Sequence, residues 1–159
     1  MNLVGQEPID THFEDCQKAV SDLQATGDWV DLGSGAGFPG IALAVYNPKA
    51  TIHLIESRHK RCVFLRRVIA QTQLSNIHVI QQRTENITTQ FDGVISRAYK
   101  PPKAYLLDAQ KLCKPNGKVI LLLGEAKTLT ELDNWNIQST LKYSVGTGFR
   151  QRLILTPNQ

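Results

Sequence analysis

Residues 30–40 read Val30-Asp31-Leu32-Gly33-Ser34-Gly35-Ala36-Gly37-Phe38-Pro39-Gly40, with glycines at 33, 35, 37 and 40. Upstream, Trp29-Val30-Asp31-Leu32 is a short apolar run of strand type. Downstream, Gly40 to Val45 opens a helix that Asn47-Pro48 stops. A glycine loop between a strand and a helix is the setting of a nucleotide-type site. Small residues let the backbone pass close to a ligand, and amides at the helix N-terminus favour polar or anionic groups. In sheets built this way, ligands bind outside the carboxyl ends of the strands.

The pattern extends outward from that loop. Ile9, Phe13, Cys16, Val20 and Leu23 recur at helical spacing, which predicts a helix over residues 8–25 ended by Thr26-Gly27. After the loop come a strand at Thr51–Ile55 closed by Glu56, a helix over 57–72, and a strand at Ile77–Ile80. A fourth strand spans Phe91–Ser96, a helix Pro102–Cys113, a turn Lys114–Gly117, and a fifth strand Val119–Leu123. A short helix is expected near 127–135. Leu141–Val145 and Arg152–Thr156 then read as a hairpin around Gly146 and Gly148. Five strands alternating with helices argue a parallel, doubly wound α/β sheet. No linker divides the chain, so residues 1–159 are expected to form a single domain with a helical N-terminal segment over 1–27.

Which cofactor suits the loop is a question of charge. Gly35 to Gly40 fits G-x-G-x-x-G, a dinucleotide pattern. Asp31, two residues before Gly33, would repel a pyrophosphate if ionised, and could instead help hold the ammonium of an amino-acid moiety, directly or through water. Pro39 removes one amide that a pyrophosphate could use. Both favour S-adenosylmethionine over NAD. Glu56, at the end of the second strand, can accept hydrogen bonds from two ribose hydroxyls, a device that both cofactor classes use.

The long form DLGSGAGFPGIALA resembles the RsmG, or GidB, family of bacterial small-subunit ribosomal RNA methyltransferases. Three more segments match in order: Leu54-Ile55-Glu56-Ser57-Arg58-His59-Lys60-Arg61-Cys62-Val63-Phe64-Leu65, Gln82-Arg83-Thr84-Glu85, and Phe91-Asp92-Gly93-Val94-Ile95-Ser96-Arg97-Ala98. The resemblance runs from about residue 12 to about 125. It implies a class I S-adenosylmethionine-dependent methyltransferase fold, Rossmann-like, with seven strands and an antiparallel last hairpin. It further implies methyl transfer to N7 of a guanine in 16S rRNA, in the cytoplasm, on the small ribosomal subunit. On the resemblance, Gly33 and Phe38 would contact the cofactor, Thr84 and Glu85 would lie beside the adenine, and Arg97 would stand between cofactor and guanine. Asp31, Gly35, Gly37 and Glu56 are supporting assignments. Guanine N7 carries a lone pair and no proton, so no catalytic acid or base is expected, and the work is alignment.

Composition bounds the alternatives. At 42% hydrophobic and 20% charged, the 159 residues suit an ordinary globular domain. No apolar run reaches the length of a membrane span. Cys16, Cys62 and Cys113 are odd in number and far apart, and read as buried or half-buried thiols; no metal site is expected from them or from the scattered His12, His53, His59 and His78. The net charge of +4 is compatible with an RNA partner without demonstrating one. Lys60, Arg83 and Arg97 are the candidates for phosphate or guanine contact. Arg66 and Arg67 read as a solvated helix face, and a structural ion pair is the plain alternative for Arg97. His12 and Asp15 resemble an H-x-x-D element of the family, with a local helix role equally open. Arg150 and Arg152 match a basic element before the last strand only poorly.

Two departures from the family pattern stand out. The family carries a longer N-terminal region, so the chain is expected to be a truncated form or a reduced member. Where the family often has a lysine at the end of the fifth strand, this chain has Leu123, followed by Gly124 and Glu125. Besides a monomeric 16S rRNA methyltransferase, the open readings are a methyltransferase for another RNA or a small molecule, and a non-catalytic module that binds cofactor or RNA.

Overall fold

Strands that are apolar on both faces belong in the middle of a sheet, and β1 (Gly27–Leu32) is buried at each of its last four residues. Trp29 turns to one face, Val30 and Leu32 to the other. The computed structural model describes residues 8–124, 132 and 134–158. Within them α1 (Ile9–Val20) precedes β1, followed by α2 (Gly40–Tyr46), β2 (Ala50–Glu56), α3 (His59–Thr72), β3 (Ile77–Gln81) and a 3-10 turn (Thr84–Asn86). Then come β4 (Phe91–Ser96), α4 (Pro102–Leu112), β5 (Cys113–Leu123), β6 (Trp135–Val145) and β7 (Gly148–Pro157).

The described residues form a seven-stranded sheet in the order β3-β2-β1-β4-β5-β7-β6. Pairings among β1 to β5 are parallel, while β7 runs antiparallel to both β5 and β6. The last hairpin is therefore antiparallel, as expected, and β6 points the same way as β5. The chain leaves β1 toward β2 and β3, then returns to β4 on the opposite side. That reversal is a topological switch point, and it puts the carboxyl ends of β1 and β4 side by side. Ser96 Oγ ties them, donating to Leu32 O at 2.8 Å.

One core lies between the sheet and α1, α2 and α3, around Val20, Leu43, Ile52, Leu54 and Leu65. The other lies under α4, around Val30, Leu32, Val94, Leu106 and Val119. Fully burying each such leucine or isoleucine contributes about 1.5–3 kcal/mol. Cys16, Cys62 and Cys113 are buried free thiols. Among the described residues, no helix is long and apolar enough to cross a membrane.

Several boundaries differ from the expectation. The first helix stops at Val20 instead of 25, and Gly27 begins β1 instead of ending the helix. The cause is tertiary. Buried Arg152 on β7 donates to Ala19 O at 2.9 Å and forks onto the Asp22 carboxylate, so the last turn of α1 is capped from the sheet. Gln24, at φ +49°, then swings the chain into β1. Ile9 and Phe13, placed on the apolar face by periodicity, are 60% and 37% exposed. The turn at Lys114–Gly117 lies inside β5, where Cys113 pairs with Phe91 and Lys118 with Gly93, leaving the four residues as a bulge. Both hairpin strands are longer than expected, meeting at Val145 and Gly148. The helix expected near 127–135 lies largely outside the described residues, and its described end, Trp135, starts β6.

Candidate functional site

The glycine loop leaves β1 and folds back on itself in three steps. Gly33, Gly35 and Gly37 have φ of +66°, +56° and +96°. At Gly33 the requirement is also spatial, because a Cβ there would run into the Tyr99 ring. The loop is pinned to β2 by Ser34 N donating to Ile55 O at 3.0 Å and Gly35 N to Glu56 Oε2 at 3.2 Å. Gly37 N donates to Ser34 O at 2.7 Å, and Ile41 N to Gly37 O at 2.7 Å, which starts α2.

A cleft of about 800 Å³ opens over this loop at the carboxyl ends of β1, β4 and β5. Its size is in the range of small-molecule sites. Gly33, Ser34, Gly35, Ala36 and Phe38 form one wall, Ser96 to Pro102 another, and Leu121 to Gly124 a third. His12 and Asp15 from α1, Arg61 from α3, and Tyr143 and Arg150 from the last hairpin complete it.

Of the residues singled out from the sequence, His12, Asp15, Gly33, Gly35, Phe38, Arg97, Leu123 and Arg150 line this cleft. Arg97 Nη1 is 3.3 Å from Asp15 Oδ2, and its guanidinium sits 5.7 Å from the Phe38 ring centroid. Asp15 is thus not a local helix residue. Its other oxygen, Oδ1, accepts from Tyr143 Oη at 2.9 Å. Phe13 packs edge-on against Phe38, with centroids 6.5 Å apart.

The remaining candidates stand elsewhere. Asp31 is wholly buried beneath the loop, and its Oδ2 accepts from Gly40 N at 3.0 Å, anchoring the N-terminus of α2. Burial pushes its carboxyl up to about 7, against the opposing pull of the Gly40 amide. Its Oδ1 is buried without a hydrogen-bond partner. Asp31 does not border the cleft and meets the loop from behind, through Gly40 N. Glu56 is also buried. It takes Gly35 N and Arg58 N (2.8 Å), and Arg61 Nη1 lies 3.5 Å from it. Gly37 packs against Ile41 and Leu65. Thr84 is buried at the start of the 3-10 turn, while Glu85 pairs with Arg83 at 3.5 Å on the surface. Lys60 and Arg83 are exposed and lie outside the cleft wall.

Arg152, which matches the family's basic element only poorly, is buried in the α1 clamp. Leu123 is a buried apolar residue in the cleft floor. His53 and His78 are neighbours, with ring centroids 5.9 Å apart. Among the described residues no group of three or more His, Cys, Asp or Glu could hold a metal. Sequence reasoning missed Tyr99 and Tyr143. Tyr99 follows the S-R-A signature directly and could have been found from it. Tyr143 carries no local signal, since only the parallel run of β5 and β6 brings it to this edge.

Residues 2–150 match the family model of GidB, rRNA small subunit methyltransferase G. The ribosomal RNA small subunit methyltransferase G of Carboxydothermus hydrogenoformans is 37% identical over 129 residues, which cover 74% of this chain and 53% of that protein. That of Mycoplasma capricolum is 34% identical over 142 residues, covering 86% of this chain and 62% of that protein. The chain therefore spans between half and two thirds of the length of these relatives. Among solved structures, magnesium protoporphyrin IX methyltransferase from Synechocystis PCC 6803, with bound SAM, superposes with a TM-score of 0.74 at 15% identity, covering 99% of this chain and 85% of that one. M. jannaschii TYW2 in complex with AdoMet gives a TM-score of 0.70 at 16% identity, covering 98% and 78%. These likenesses show the fold, that of the class I methyltransferases.

Proposed function

The chain belongs to the rRNA small subunit methyltransferase G family, and from that premise we propose that it transfers a methyl group from S-adenosylmethionine to N7 of a guanine in 16S ribosomal RNA. The observation that carries this reading is the cleft at the switch point, where a loop of three left-handed glycines faces Arg97 across Phe38.

The residues fit the cofactor. A glycine-rich loop lines a cleft of suitable size, and a carboxylate, Glu56, ends the neighbouring strand. When bound, S-adenosylmethionine supplies an activated methyl group on a sulfonium. Gly33, Gly35 and Phe38 would form its bed, with Arg97 at the border to the guanine. Thr84 and Glu85 would flank the adenine. Glu56 has acceptor capacity left for ribose hydroxyls, since the 3.5 Å contact with Arg61 is long for a hydrogen bond. Asp31 and Gly37 hold the loop in shape from below. N7 of guanine needs no deprotonation, so no side chain is assigned as acid or base. The task of the site is to align N7 and exclude water. Lys60 and Arg83, exposed beside the carboxyl ends of β2 and β3, would meet RNA phosphates. We place the protein in the cytoplasm, as a monomer acting on the small subunit.

A second reading, a module that binds cofactor or RNA without turnover, is favoured by Leu123, which puts an apolar side chain in the cleft floor. The test is transfer of labelled methyl from S-adenosylmethionine to small subunits that lack the modification, followed by mapping of N7-methylguanosine in 16S rRNA. Label at one guanine supports the reading. Cofactor binding by calorimetry without transfer supports the module. Heat with NADH alone overturns both.

A further inference from the structure

The cleft wall contributed by α1 holds a carboxylate, Asp15, to which methyl transfer as described gives no task. Asp15 is 9% exposed, and both of its carboxylate oxygens are engaged by residues distant in the chain. Oδ2 faces Arg97 Nη1 at 3.3 Å, and Oδ1 takes the hydroxyl of Tyr143 at 2.9 Å. Burial and the Asp15 charge push the Tyr143 hydroxyl well above the ordinary phenol range, so it remains a donor. The end of β4 and strand β6 thus converge on a single carboxylate of helix α1.

We propose that Asp15 and Tyr143 are positioning residues that lock the Arg97 guanidinium against Phe38 and so keep it from donating to N7 of the target guanine. The inference rests on reading the cleft as a guanine-N7 methyltransferase site. An arginine free to rotate pairs with guanine at O6 and N7 together, the commonest arginine–base contact. In this reaction that pairing is unproductive, because a donor on N7 occupies the lone pair that must attack the methyl carbon. Holding Nη1 on Asp15 and one face of the guanidinium on Phe38 takes Nη1 out of the two-pronged fork that would span O6 and N7. The guanidinium keeps further N–H donors, which O6 or the cofactor can take singly. The Asp15–Arg97 pair is mostly shielded from water, so it is a firmer restraint than a surface ion pair.

The test is a double-mutant cycle in methyl transfer to undermodified small subunits, with Asp15→Asn, Tyr143→Phe and Arg97→Ala. Asp15→Asn is expected to lower kcat about tenfold or more while KM for subunits moves less than about threefold, the pattern of impaired alignment. Tyr143→Phe is expected to act in the same direction but more weakly. In an Arg97→Ala background neither should lower kcat further, because both act through Arg97. Losses that add in the cycle, a raised KM at unchanged kcat, or losses that follow the folded fraction by circular dichroism overturn the proposal. Should Asp15→Asn fail to fold, Tyr143→Phe, which removes a single oxygen, carries the same cycle. If the wild-type chain binds S-adenosylhomocysteine yet transfers no methyl group, the functional reading falls and the positioning role with it. If it transfers and the losses add, the positioning role alone falls.

Discussion

At Gly33 two constraints coincide: a φ of +66° and the Tyr99 ring where a Cβ would go. Gly33→Ala therefore pays left-handed strain of about 1–2 kcal/mol and displaces Tyr99 from the cleft wall. We expect a lowered unfolding midpoint in urea and loss of S-adenosylhomocysteine binding by calorimetry. Asp31 makes a different prediction. Its carboxyl is raised to about 7 in the folded protein by burial, while the unfolded chain titrates near pH 4. Between those values the native state holds the extra proton, so stability is greatest below the unfolded value and falls as pH rises toward 7. The slope amounts to a loss on the order of 2–4 kcal/mol across that range. Asp31→Asn keeps an acceptor for Gly40 N and cannot ionise, so its urea stability should be flat over the same range where the wild type declines. A wild-type curve as flat as that of the variant would show that Asp31 is ionised in the fold. These two residues also mark how far the site was legible. Dense glycines fix a loop, and loop chemistry is local. Whether a carboxylate faces ligand or interior is decided by the pleat of β1 and the seat of α2, and those are tertiary facts.

Elements were legible where their causes are local. The fourth strand has the expected bounds, Phe91–Ser96, because a short, mostly buried run ends at the Ser96-Arg97 corner. Helix α1 was overextended because its end is set by Arg152, 133 residues away. The clamp gives a prediction at this scale. Arg152 is buried while its partner Asp22 is half exposed, and the Asp22 carboxyl is held below its usual range by the hydrogen bond from Arg152. Asp22→Asn leaves a buried guanidinium with a weakened partner and should destabilise by about 1–3 kcal/mol in urea at pH 7. A depressed carboxylate stabilises above its unfolded value, and that stabilisation is lost as pH falls through the folded value. The gap between wild type and Asp22→Asn should therefore close in acid. A gap that stays open there would show that the contribution is packing and not charge.

For the molecule as a whole, the proposed RNA substrate raises the question of where a net charge of +4 is displayed. The sheet topology answers part of it. Because β1 to β4 are parallel, the start of α3 and the turn after β3 reach the same edge as the glycine loop. Arg58 and Lys60 stand at one of those points and Arg83 at the other, all exposed. Arg97 is withdrawn, paired with Asp15 on the cleft wall. Exposed cations act on RNA through displaced counterions, whereas a partnered arginine acts through geometry. The two groups should therefore separate when affinity for small subunits is measured against salt. Removing Lys60 or Arg83 by substitution to alanine should weaken binding and lower the slope of log affinity against log salt by about 0.7–0.9 for each phosphate no longer neutralised. Arg83 should show less than Lys60, since Glu85 already lies 3.5 Å from it. Arg97→Ala should leave the slope nearly unchanged while kcat for transfer falls to a lower, still measurable level. A slope that moves with Arg97 and not with Lys60 would relocate the RNA path from the rim into the cleft.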